Sequence, residues 1–163
     1  MIILLFSQNP GHLMPQSLTQ IYVHLVFSTK NRQPLIVAEI ESELHSYLGG
    51  ICRELDCYPV KIGGYNDHIH ILCGHSRKIA LMKLVEEIKK NSSKWIKTKG
   101  EQYLNFYWQD GYGAFSVGHN QLDGVYKYIA KQHEHHQHQS FQDECRMLYK
   151  EHSVKFDERY VWD

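Results

Sequence analysis

Between Gln20 and Ser28 the chain alternates residue by residue. Ile21, Val23, Leu25 and Phe27 fall on one face, and Tyr22, His24, Val26 and Ser28 on the other. Period two with β-branched and aromatic side chains is the signature of a strand. A sheet holding this strand must cover its apolar face, and the later segments supply the cover. After Pro34, Ile40, Leu44, Leu48, Ile51 and Leu55 recur at spacings of four and three, a helical stripe that Gly49 and Gly50 weaken only locally. Tyr58 to Tyr65 reads as a second strand, with Gly63-Gly64 suited to a bend or a close backbone approach. Asn66-Asp67 is a natural turn pair, and His68 to Cys73 follows as a third strand.

A second helix is expected from about Lys78 to Lys97, with Leu81, Leu84, Val85, Ile88 and Trp95 as its stripe. Tyr103 to Gln109 is the candidate fourth strand, followed by a glycine-punctuated loop over Asp110 to Gly113. A third helix starts near Asn120, with Asn as N-cap and Asp123 in a capping-box position. Its stripe is Leu122, Val125, Tyr126 and Ile129, so Tyr126 reads as core. Phe141 to Lys150 is a short final helix. The order βαββαβ followed by helices is the split βαβ, ferredoxin-like arrangement of an α+β protein. The sheet is expected to be antiparallel with helices on one face, the other being free for a ligand.

A length of 163 residues suits one domain. We place that domain at residues 14–150, with 151–163 as a tail. Residues 1–13 read as a disordered extension, because the apolar run Met1 to Phe6 lacks a basic flank and is too short for a membrane span. Lys plus Arg equals Asp plus Glu, so an attraction to nucleic acid must come from local clustering. Cys52, Cys57, Cys73 and Cys145 form no CxxC pair and read as buried thiols of a reduced, cytosolic protein.

His68 and His70 are two apart on a strand, so both imidazoles share the face opposite Ile69, Ile71 and Cys73. About 7 Å apart along the strand, they can converge on one metal ion or simply line a solvated face. On a helical wheel Tyr128 lies roughly 110° and Gln132 roughly 70° from the centre of the third stripe, on one flank. That places both at the rim of a packed helix, where Tyr128 is either a reaching side chain or an ordinary amphipathic tyrosine. Lys89, Lys90, Lys94, Lys97 and Lys99 form a run without acidic residues, interrupted by Trp95. Lys90, Lys94 and Lys97 share a face that can track phosphates or stay solvated. In the tract His133 to His138, His136 lies one turn beyond Gln132 on the same flank, where it can join the metal site or bind adventitious zinc or nickel; we expect it on a solvated or DNA-contacting face.

With His68-Ile-His70 followed by Tyr128-Ile-Ala-Lys-Gln132, the pattern resembles the single-tyrosine HUH transposases, the TnpA-type enzymes of small bacterial insertion sequences, and their REP-associated relatives. Ile21-Tyr-Val-His-Leu-Val-Phe-Ser-Thr-Lys30, Asp67-His-Ile-His-Ile-Leu72 and Trp108-Gln-Asp-Gly-Tyr-Gly-Ala-Phe-Ser-Val117 carry the same resemblance. It implies an RRM-like sheet, Tyr128 as nucleophile, and His68, His70 and Gln132 as ligands of magnesium or manganese. It implies cleavage and rejoining of single-stranded DNA bearing hairpin ends, through a 5′-phosphotyrosine. It also implies a homodimer whose active sites are completed in trans, acting on DNA in the bacterial cytosol and nucleoid rather than at a membrane. The competing readings are a non-catalytic hairpin-binding protein on the same scaffold, a replication initiator or relaxase, a metallohydrolase that would not need Tyr128, and a plain interaction module.

Overall fold

The computed structural model describes residues 17–162, so the expectation for residues 1–13 lies outside the described residues. The elements are β1 (Tyr22–Ser28), α1 (Ala38–Glu54), β2 (Tyr58–Tyr65), β3 (His68–Gly74), α2 (Leu81–Ile96), β4 (Gly113–Val117), α3 (Leu122–Ala130), α4 (Gln132–His135) and α5 (Phe141–Glu151). The sheet order is β2-β3-β1-β4 with every neighbour antiparallel. The expected α+β fold with a ferredoxin-like strand order is what the chain adopts.

The alternation of β1 and β3 sorts the sheet into two faces. Leu25 and Phe27 of β1 and Ile69, Ile71 and Cys73 of β3 meet Leu44 and Leu48 of α1 and Leu84 and Ile88 of α2. All of these are fully buried, and the area removed from water is the main term holding the fold. The four cysteines are buried and unpaired.

The fourth strand is not where the pattern of large apolar residues pointed. Tyr103 to Gln109 contributes one isolated bridge, Thr29 to Trp108, and the ladder forms at Gly113–Val117 instead. Phe106 and Trp108 serve as plugs. Trp108 stands edge-on to Phe27 and to Phe106, with ring centroids 4.9 and 4.8 Å away, closing the end of the helix-side core. The following turn is clasped by Lys89, whose Nζ donates to the carbonyls of Gln109, Asp110 and Gly111 at 2.9, 3.3 and 2.6 Å.

The second face is not free; α3, α4 and α5 cover it. Ile129 packs on Leu72 and Val117, with Val125 and Tyr128 beside them. Phe141, Cys145 and Leu148 pack on Val26 and Phe115. Gly63 makes this possible, since a Cβ there would sit 2.7 Å from the carbonyl oxygen of Ile129. The α3 stripe is therefore turned toward Tyr128, and Tyr126, expected in the core, is 42% exposed with Lys61 over its ring. Asn120 does not cap α3. It lies in a 3-10 turn, His119–Gln121, where Gln121 Oε1 accepts from the Gly118 N–H at 2.9 Å. The helix breaks at Lys131 (φ −101°, ψ 15°), so Gln132 begins α4.

Candidate active site

His68 and His70 point from β3 into the second face, and both are fully buried. Each ring is held by its Nδ1. His68 Nδ1 lies 2.7 Å from Asp67 Oδ1, and His70 Nδ1 lies 2.9 Å from His24 Nε2. With protons on both Nδ1 atoms, the two Nε2 atoms present lone pairs toward α5. Burial and the neighbouring His70 bring His24 down to about 3, so it stays neutral as an acceptor. Burial likewise lowers His70.

What the Nε2 atoms face is Glu144, a carboxylate with no exposed surface, carried by α5. Glu144 Oε1 lies 3.3 Å from His70 Nε2, and Oε2 lies 3.6 Å from His68 Nε2. Oε1 accepts from the Tyr128 hydroxyl and from Gln132 Nε2 at 2.8 Å. Oε2 lies 2.9 Å from His136 Nε2. The Gln132 carbonyl oxygen, 3.2 Å from His68 Nε2, completes the ring of contacts. His136, expected on a solvated face, is instead packed against His68 with ring centroids 4.4 Å apart. The helix break at Lys131 swings the tract inward.

These groups set one another's charge. Burial works to neutralise Glu144, but the histidines around it, His70 foremost, hold it well below the usual carboxylate range. The same burial depresses the charge on His70 itself, so we assign the anion's support mainly to donation from Gln132, Tyr128 and His136. Burial opposes charge on His136 as well, yet its bond to Glu144 raises it. Tyr128 is pushed far above the ordinary phenol, first by burial and then by the Glu144 charge.

A cation fits this donor set. His68, His70 and Glu144 each offer a ligand atom, all within 4.8 Å of one another. His70 Nε2 is buried without a hydrogen-bond partner, its approach to Glu144 being short enough for attraction but poorly aligned. A buried nitrogen lone pair facing a carboxylate is what a metal ion would satisfy.

The sequence-predicted residues thus divide. His68, His70, Tyr128 and Gln132 come together in one chain. The lysines do not join them, for α2 covers the opposite face of the sheet. There Lys97 Nζ sits 3.7 Å from the Tyr107 ring centroid, Lys99 pairs with Glu43, Lys90 lies 3.9 Å from Glu87, and Lys94 is exposed. Burial moves the Lys89 ammonium down to about 8. The residue missed was Glu144. Its one signal is phase, since it shares a helix face with Phe141, Cys145 and Leu148, where an acid is out of place. A cavity of about 420 Å³ opens beside Tyr128, with His24, His135 and His152 among its walls.

Residues 17–132 match the family described as "Transposase IS200 like". The chain is similar to the ISDra2 transposase TnpA of Deinococcus radiodurans, 23% identical over 120 residues, which span 71% of this chain and 86% of that protein. A crystal structure from Deinococcus radiodurans R1, assigned as a transposase, shares the fold with a TM-score of 0.57 at 20% identity, covering 78% of this chain and 98% of that one. A REP-associated tyrosine transposase bound to a REP hairpin shares it with a TM-score of 0.57 at 12% identity, covering 77% and 74%.

Proposed function

The chain belongs to the IS200-like transposase family, and from that premise we propose that it cuts and rejoins single-stranded DNA through a phosphotyrosine link at Tyr128. The observation that carries the reading is the convergence of the Tyr128 hydroxyl, His68, His70 and Gln132 on one buried carboxylate. The Tyr128 Oη–phosphorus bond forms as the bond from phosphorus to the 3′ oxygen breaks. The phenol proton leaves, the 3′ oxygen gains one, and reversal by a new 3′-hydroxyl rejoins the strand without ATP. His68, His70 and Gln132 would hold a divalent ion, magnesium or manganese, whose charge polarises a non-bridging phosphate oxygen and offsets the charge building there.

The substrate is hairpin-bearing single-stranded DNA, in line with the REP hairpin held by the structural relative. The ring-lined cavity beside Tyr128 offers flanking bases a stacking bed. Because Tyr128 reaches Glu144 of its own chain, a site assembled within one copy is favoured. A homodimer with sites completed in trans would first require α3 to leave Gly63. No helix among the described residues is long and apolar enough to cross a membrane, and we place the protein at the nucleoid DNA of the cytosol.

His68, His70, Glu144 and Gln132 are buried, whereas Tyr128 is half-buried at the wall of the cavity, so α4 and α5 must shift before a phosphate can reach the ligand atoms. The same burial favours a second reading, a hairpin binder that does not cut. The test incubates the protein with manganese and labelled single-stranded DNA from the flanks of its own gene. The expected result is a metal-dependent cut leaving an extendable 3′-hydroxyl, absent from Tyr128→Phe. Hairpin binding without cleavage by the native chain would overturn strand transfer and leave the binder.

A further inference from the structure

The family match ends at Gln132, yet the group at the centre of the site lies beyond it, on α5. We propose that Glu144 is itself a ligand of the metal ion and at the same time the anchor of the Tyr128 hydroxyl. The inference rests on the metal-dependent reading given above.

Three observations carry it. First, Glu144 is fully buried, and among the described residues its ion-pair partners are all histidines. A carboxylate buried with neither a lysine nor an arginine beside it calls for a counter-charge. Second, His70 Nε2 has no hydrogen-bond partner although it faces Glu144 Oε1 at 3.3 Å. A plain His136–Glu144 pair would leave that nitrogen orphaned, whereas an ion between the two satisfies both. Third, the donor chemistry favours it. Two imidazoles and an amide oxygen are a neutral set, while a carboxylate supplies the anionic oxygen that magnesium and manganese prefer.

The two oxygens divide the work. Oε1 holds the Tyr128 hydroxyl and Gln132 Nε2, while Oε2 turns toward His68 and His136. One side chain from α5 therefore sets the distance between nucleophile and metal. Gln132 is correspondingly tied to Glu144 by its amide nitrogen, which keeps its carbonyl oxygen turned to His68.

The test is calorimetric titration with manganese of the native chain, Glu144→Gln and Tyr126→Phe, without DNA. Glu144→Gln keeps the shape and removes the charge, and it is expected to weaken binding by more than about 100-fold, the most that losing a mere partner of a ligand costs. Tyr126→Phe, at an exposed ring outside the site, is expected to bind as the native chain does. Manganese-soaked crystals of the native chain give an answer that does not depend on the folding of any variant. The expected anomalous peak lies about 2.0–2.3 Å from a Glu144 oxygen, the range of oxygen ligands to small divalent ions. Native affinity in a folded Glu144→Gln, or an ion held by His68, His70 and Gln132 with Glu144 apart, would overturn the role of Glu144 alone. A native chain that takes up no manganese would bring down the metal reading beneath it.

Discussion

On β3, Ile69, Ile71 and Cys73 face α1 and α2, while His68 and His70 face α3 and α5, and all five side chains are equally buried. The two faces of the sheet therefore do not differ in dryness. They differ in what burial demands. The helix-side face is satisfied by volume and area, so any well-fitting apolar set will do. The site face buries a carboxylate, a phenol, an amide and four imidazoles counting His24 and His136, and each depends on named partners. The first face stores stability, and the second spends part of it on chemistry.

That contrast can be broken from either side. The largest effect belongs to the helix-side face. Phe27→Ala, at a fully buried ring edge-on to Trp108, is expected to cost about 3–5 kcal/mol, read by urea denaturation. Metal affinity of the remaining folded fraction should be unchanged. Next comes the seam where α3 rests on β2. Gly63→Val places carbon against the Ile129 carbonyl and is expected to cost about 1–3 kcal/mol. It should also remove strand cleavage, because α3 carries Tyr128; native cleavage rates would show that α3 can sit elsewhere. On the site face, His24→Phe removes the partner of His70 Nδ1. Manganese affinity is expected to fall about 10–100-fold, with a stability loss of about 1–3 kcal/mol from the orphaned N–H, less than that of Phe27→Ala. A large stability loss with native affinity would reverse the distinction between the faces.

The smallest effect is a pH slope. Burial puts Lys89 at about 8 in the folded chain, against about 10.4 in the unfolded one. Between those values the unfolded state binds more protons, so folding stability should rise with pH across that window. Lys89→Met is expected to flatten this contribution in denaturation curves taken at successive pH values, and an identical slope in both chains would refute it.

The helix-side face was legible because its signal is local. Leu25 and Phe27, or Leu44 and Leu48, announce their face by period alone. Gly113–Val117 was passed over because Tyr103, Phe106 and Trp108 are larger and more strand-like, yet they fill a hole at the end of the core and form no ladder. On the site face, His68, His70, Tyr128 and Gln132 were readable as spaced motifs. Glu144 was not, because its role exists only once α5 is laid over β3, and for His136 the site was one alternative that the sequence could not choose, because the choice depends on α4 folding back. Tyr126 was misread for a related reason. A wheel gives the width of a stripe, but the covering of the second face decides which edge of it is buried.

The central claim is that Tyr128 takes the phosphoryl group in a site closed by its own chain. The most direct measurement is peptide mapping by mass spectrometry of protein incubated with manganese and single-stranded hairpin DNA. The expected result is a nucleotide mass on the peptide bearing Tyr128, formed at a rate independent of protein concentration when DNA is saturating. An adduct on Tyr126 or another tyrosine, or adduct formation restored by mixing Tyr128→Phe chains with His68→Ala chains that are each inactive alone, as a trans-assembled site allows, would contradict it.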